Sequence, residues 1–123
     1  MKLLLDTHAF LWWDANDARL PVALCSAIAS PQNEVYVSAV TVWEIAIKRA
    51  SGKLIFGQAV GNAIEEHGFL PMPISVKHAE WAGGLPQLHR DPFDRLLVAQ
   101  AQLEGLILVT VDDQILRYQV PHL

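Results

Sequence analysis

The opening stretch Met1–His8, MKLLLDTH, limits what this chain can fold into more than any other. Leu3, Leu4 and Leu5 form an apolar run with no polar alternation, and Asp6 ends it. Such a run suits a strand buried on both faces, as in a parallel sheet covered by helices on each side. The following residues, Ala9–Trp13, are apolar and helix-compatible. Asp6 therefore falls where a strand stops and a helix starts, at the carboxyl edge of the sheet, where open parallel sheets bind ligands. A carboxylate there is either a helix N-cap or the first member of a site.

The remaining chain repeats this alternation. Asp14–Asp17 reads as a turn, and Leu20–Ala29 as a helix opened by Pro21 and closed at Pro31. Val35–Val37 is β-prone and reads as a second strand. Ser38 is a plausible cap for a helix through Trp43 and Ile47 to Ala50, stopped at Gly52. Gly57–His67 reads as a shorter, more polar helix ended by Gly68. Phe69–Ile74 looks extended, and Pro71 and Pro73 place it at a sheet edge. Ser75 caps a helix to Ala82, and Leu85–Arg90 is a loop. Pro92 opens a strongly apolar helix to Glu104, with Gly105 as its stop. Leu106–Val109 is a second apolar run, followed by a turn and a short helix around Ile115 and Leu116. Tyr118–Val120 is expected as a last edge strand. Strands alternating with helices predict a parallel α/β sheet with right-handed crossovers.

A length of 123 residues favours a single domain spanning 1–123. With 52% hydrophobic and 18% charged residues the chain can bury a sizeable core. The net charge of −4 argues against a strongly basic nucleic-acid binder, but not against a nucleic-acid enzyme whose acids are neutralised by metal ions. The single cysteine, Cys25, excludes an internal disulfide and disfavours a thiolate zinc site. Asp6 interrupts the leucine run too early for a signal peptide, and no apolar run reaches the roughly 18 residues of a membrane span. A cytoplasmic protein with no membrane partner is expected.

Four acids stand out by position. Asp6 ends one apolar run, and Asp112 follows the other. Glu44 lies in the second turn of the helix after the second strand, and Asp94 in the first turn of the helix opened by Pro92. Helices that start at the carboxyl edge bring their first turns to that edge, so all four can converge there. Close carboxylates repel and resist ionisation. A hard divalent cation such as Mg²⁺ or Mn²⁺ removes that penalty. Clusters of this kind serve phosphodiester hydrolysis, in which the metal activates a water and stabilises charge on the attacked phosphate.

Each acid also has a structural reading. Asp6 and Asp112 can cap the helices after them, and Glu44 can pair with Lys48 at i,i+4. Asp91 and Asp94 resemble a capping box around Pro92, which assigns Asp91 to structure with at most an auxiliary role. Thr7 and Thr110 flank the acids and can orient a ligand. His8 can contact substrate or serve structure, and Asp113 is an adjacent spare acid. Arg90 and Arg95 flank Asp94 and are the best candidates for phosphate contact; the alternative is a solvated helix start. The other histidines show no ligand spacing with one another, and Trp12, Trp13, Trp43 and Trp81 can stack on bases or fill core and interfaces.

Together, LLLDTH at 3–8, VSAVTVWEIAIK at 37–48, DPFDRLLVAQA at 91–101 and LVTVDD at 108–113 resemble the PIN-domain family, and within it the VapC-type toxins of bacterial toxin–antitoxin pairs. The match runs through essentially the whole chain in the right order. The resemblance implies a three-layer α/β/α sandwich with a parallel central sheet of four to five strands. It implies a Mg²⁺- or Mn²⁺-dependent endoribonuclease that leaves a 5′-phosphate. The family's acids map onto Asp6, Glu44, Asp94 and Asp112 as catalytic and metal-binding residues; Asp94 is fixed by the small residue Ala101 seven positions on. None of the four is missing. A homodimer and a cognate VapB-like antitoxin are further implications. Two other readings are a non-catalytic RNA- or protein-binding PIN module, whose mark would be a lost acid, and a structure-specific DNA nuclease, for which the chain lacks the length to carry a clamp and arch.

Overall fold

The computed structural model describes residues 1–123. Four strands form one parallel sheet: β1 (Lys2–Leu5), β2 (Glu34–Ser38), β3 (Leu70–Met72) and β4 (Ile107–Val109), in the order β3-β2-β1-β4. Leu3 pairs with Val35 on one side and with Ile107 on the other, so the opening leucine run sits at the centre. All three leucines are fully buried. The chain moves outward from β1 through β2 to β3, then crosses back to lay β4 on β1's far side. The order therefore reverses between β1 and β4, and a crevice opens beyond their carboxyl ends.

Six helices cover the two faces. Alternation along the strands decides which side chain meets which layer. Leu3, Leu5, Val35, Val37 and Val109 pack with Phe10 of α1 (Thr7–Asp14), Leu24 and Ile28 of α2 (Val22–Ala29), and Ala63 and Ile64 of α4 (Val60–Glu66). Leu4 and Leu108 face the other way, onto Ala82 of α5 (Val76–Gly83) and Leu97, Val98 and Ala101 of α6 (Pro92–Glu104). The helix α3 (Ala39–Ala50) gives Ile45 to the first core and Val40 to the second. Three layers result, with the sheet in the middle. No helix is long and apolar enough to cross a membrane.

Local chemistry sets the boundaries. Ser38 caps α3 through the Val40 amide, and Ser75 with His78 forms a capping box on α5. Gly105 ends α6 in the left-handed region, at φ 66°, which costs glycine little. Two expectations fail. The polar helix starts at Val60 rather than Gly57, because the Arg49 guanidinium holds the carbonyls of Phe56 and Gln58 and keeps that approach as loop. Tyr118–Val120 is not a strand. A 3₁₀ turn over Ile115–Arg117 turns Tyr118 and Val120 into the core, and the chain meets the edge of β4 only at Pro121–Leu123. There the Leu108 amide donates to the Pro121 carbonyl and the Leu123 amide to the Leu108 carbonyl, an isolated bridge beside a four-stranded sheet.

Candidate active site

The crevice at the β1/β4 reversal brings Asp94 and Asp112 together, with Asp6 beside Asp112. Asp6 directly follows β1 and is 2% exposed; its amide donates to the Val109 carbonyl and so extends the β1–β4 pairing. One Asp6 oxygen, Oδ1, accepts from the Ala9 amide at 2.7 Å and caps α1. The capping and site readings of Asp6 are thus compatible, since a carboxylate has a second oxygen to offer. Burial raises the Asp6 pKa; hydrogen bonds from the Thr110 hydroxyl and the Ala9 amide and the nearby His8 work against the rise, and the Asp112 charge adds to it.

Asp112 reaches the same crevice from the turn after β4. Its amide donates to Thr110 Oγ1, and its Oδ1 accepts from the Gln114 amide. Asp94 arrives on the first turn of α6. Its Oδ2 lies 2.7 Å from His89 Nε2. Burial pushes the Asp94 carboxyl up to about 6, the His89 hydrogen bond opposes this, and the like charges of Asp91 and Asp112 reinforce it. Ligand atoms from His89, Asp94 and Asp112 all lie within 4.8 Å of one another.

Glu44 joins through Asp6's neighbour. It is 4% exposed, and its Oε1 accepts from Thr7 Oγ1 at 2.7 Å, with Thr41 Oγ1 3.2 Å from the same hydroxyl. Its other oxygen takes the Lys48 ammonium. The i,i+4 pair exists, but on a buried carboxylate rather than a solvated face.

The flanking candidates separate clearly. Asp91 Oδ1 accepts from the Phe93 and Asp94 amides and caps α6, as its structural reading requires. The reciprocal half of a capping box is absent, because Asp94 turns to His89 instead. Asp113 is exposed and makes no hydrogen bond. His8 is exposed, its ring 5.7 Å from Trp12. Arg90 is exposed and unpaired, free to meet a phosphate. Arg95 corrects the sequence expectation: it is 9% exposed, and its guanidinium donates to the carbonyls of Ala82, Leu85 and Pro86 and to the Tyr118 hydroxyl. With the His89 carbonyl as a fifth acceptor, the guanidinium has no face left for phosphate. It fastens the 85–90 loop, as does Tyr118, whose hydroxyl donates to the Pro86 carbonyl and accepts from the His89 amide.

His89 is the member that sequence reasoning overlooks. Its loop is held by Arg95 and Tyr118 and its ring is set on Asp94, yet it has no spacing relation to the other histidines. The one usable signal is its place five residues before Asp94, just ahead of the Asp91-Pro92 helix start.

Two observations test whether this donor set suits a divalent cation. Burial lifts two carboxyls above their usual range and the neighbouring acids add to the rise, an effect that a bound cation would oppose. Three donor atoms already stand close enough to share one ion. Carboxylate oxygens select a hard ion, and one imidazole is compatible with Mn²⁺. The set fits. A groove of about 1110 Å³, bordered by Trp81, Leu85, Gln102 and Tyr118, includes none of the four acids.

The sequence matches the PIN domain family over residues 3–121. It is 33% identical to ribonuclease VapC22 of Mycobacterium tuberculosis, a comparison covering 97% of this chain and 93% of that protein. Among solved structures, the fold is similar to a DNA-bound VapBC from Salmonella typhimurium, with a TM-score of 0.70 at 17% identity, covering 100% of this chain and 97% of that one. It also resembles a toxin–antitoxin complex from Klebsiella pneumoniae, with a TM-score of 0.65 at 19% identity, covering 98% and 95%.

Proposed function

Because the chain belongs to the PIN-domain family, we propose that it is a divalent-metal-dependent ribonuclease, the toxin of a type II toxin–antitoxin pair. Its substrate is RNA and its regulatory partner a VapB-like antitoxin, in keeping with a relative named as a ribonuclease and with neighbours solved as toxin–antitoxin complexes. The observation that carries the chemistry is the convergence of Asp94 and Asp112, with His89, at the β1/β4 reversal; Asp6 lies close enough to Asp112 to feel its charge, and Glu44 is tied to Thr7 beside Asp6.

In this reading Asp6, Asp94, Asp112 and Glu44 hold Mg²⁺ or Mn²⁺. When bound, the ion supplies Lewis acidity at the phosphate and lowers the pKa of the attacking water. The protein's own part is placement. The Ala9 amide fixes the buried Asp6 carboxylate in one orientation. Thr7 does the same for Glu44, and His89 for Asp94. Holding the acids in fixed orientations before ion and substrate arrive removes reorganisation from the reaction. Arg90 offers the unpaired cation at the approach to α6.

Cleavage of an end-labelled single-stranded RNA tests the reading. We expect turnover with Mg²⁺ or Mn²⁺, none in excess chelator, and loss of turnover in Asp6→Asn and Asp112→Asn with melting curves unchanged in shape. A folded, antitoxin-free protein that cuts no RNA with either ion would overturn it.

A further inference from the structure

Trp43 is left over by this account. It immediately precedes Glu44, yet where Glu44 is buried, Trp43 is 56% exposed. Phe93 has the same relation to Asp94. The two rings meet edge-to-face, centroids 5.1 Å apart and planes at 76°. Phe93 packs against the core beneath α6, so it anchors the step, and the indole projects from it into solvent. The helices that deliver Glu44 and Asp94 therefore also deliver a paired aromatic step beside them.

We propose that Trp43 stacks on a nucleobase next to the scissile phosphodiester, so that the RNA is taken single-stranded at that position. The inference rests on the ribonuclease reading and adds a binding residue to it. Affinity is the supporting argument. The chain carries a net charge of −4. Lys48 is tied to Glu44, Arg49 to loop carbonyls and Arg95 to the 82–86 carbonyls, which leaves few cations to hold a polyanion. Stacking on an aromatic face is indifferent to that charge and to base identity, and it requires an unpaired base. A half-exposed indole, held edge-to-face by a core-anchored phenyl ring, is such a platform beside the acids.

The test compares wild type, Trp43→Phe and Trp43→Ala on two labelled oligoribonucleotides. One is intact, and the other has an abasic residue beside the mapped cleavage position. Binding is read by anisotropy with Ca²⁺, and KM and kcat with Mg²⁺. We expect Trp43→Ala to raise Kd and KM about tenfold or more, with kcat changed much less and most of the loss recovered in Trp43→Phe. The abasic substrate should weaken wild type by a similar factor and Trp43→Ala hardly further, since both remove the same contact. Additive losses, or a Trp43→Ala protein that binds like wild type, would overturn the proposal. So would an abasic effect without any Trp43 effect. If Trp43→Ala instead halves the sedimenting mass, the ring covers a second copy of the chain and the proposal falls. A wild type that neither binds nor cuts intact RNA refutes the ribonuclease reading itself, a result separate from all of these.

Discussion

At the scale of single residues, the two aspartates at the start of α6 divide the work. Asp91 spends an oxygen on two backbone amides, so Asp91→Ala should cost about 0.5–2 kcal/mol in a denaturant melt and leave cleavage appreciable. Asp94 faces His89 and Asp112, so Asp94→Ala should abolish cleavage in a folded protein. Asp94 also gives the cation-free protein an unusual pH response. Its folded pKa is raised to about 6 from an ordinary 3.8, so between those values the folded state binds more protons than the unfolded one. Stability from this group is complete below about pH 4 and is lost as pH rises through 6, by at most about 3 kcal/mol. Urea midpoints in chelator from pH 4 to 7 should show that decline, and Asp94→Asn should reduce it; the slope that remains belongs to Asp6, whose shift has the same sign. Asp6 and Asp112 are legible in the sequence because an apolar run ending in an acid fixes both the strand and its edge. His89 is not legible, since only the tertiary path of the 85–90 loop brings a lone histidine to Asp94. Arg95 misleads for the converse reason: an arginine in a helix's first turn reads as solvated until the carbonyls that enclose it are known.

At the scale of elements, the segment between α5 and α6 has no regular structure of its own and is held from outside. Arg95 and Tyr118 supply its fasteners, one from α6 and one from the end of the chain. Removing the guanidinium strands several buried carbonyls at once. Arg95→Ala should therefore lower stability by about 3 kcal/mol or more, and Arg95→Lys should restore little, because one ammonium cannot span the same acceptors. Arg90→Ala, at an exposed and unpaired position, should stay within about 0.5 kcal/mol of wild type. Chemical denaturation of the three variants distinguishes these outcomes. Caps and breakers made most elements readable: Ser38, Ser75, Pro92 and Gly105 lie at the boundaries they announce. The β-prone Tyr118–Val120 misleads because two of its side chains are wanted in the core, which turns the backbone away from the sheet until Pro121.

At the scale of the whole molecule, the acidic crevice makes folding and cation binding one equilibrium. An ion that binds only the folded state adds about 2.7 kcal/mol at a hundredfold excess over its Kd. Millimolar Mn²⁺ should raise the melting temperature by several degrees, and Asp6→Asn should shrink the rise; calorimetry showing neither heat nor shift would remove the ion from this crevice. The alternation of strand and helix made the layers legible from sequence, whereas the placement of β4 beside β1, on which the crevice depends, is a long-range choice that no local pattern encodes. That placement has a consequence for the protein's birth. Asp6 leaves the ribosome about a hundred residues ahead of Asp112, and β1 has no partner on its β4 side until Ile107–Val109 is made. At about 5–20 residues per second, the acids exist apart for several seconds or more before they can meet. In the proposed ribonuclease reading a nascent chain is inactive for that whole interval, and a messenger cut short anywhere before the codon for Asp112 never yields a working enzyme.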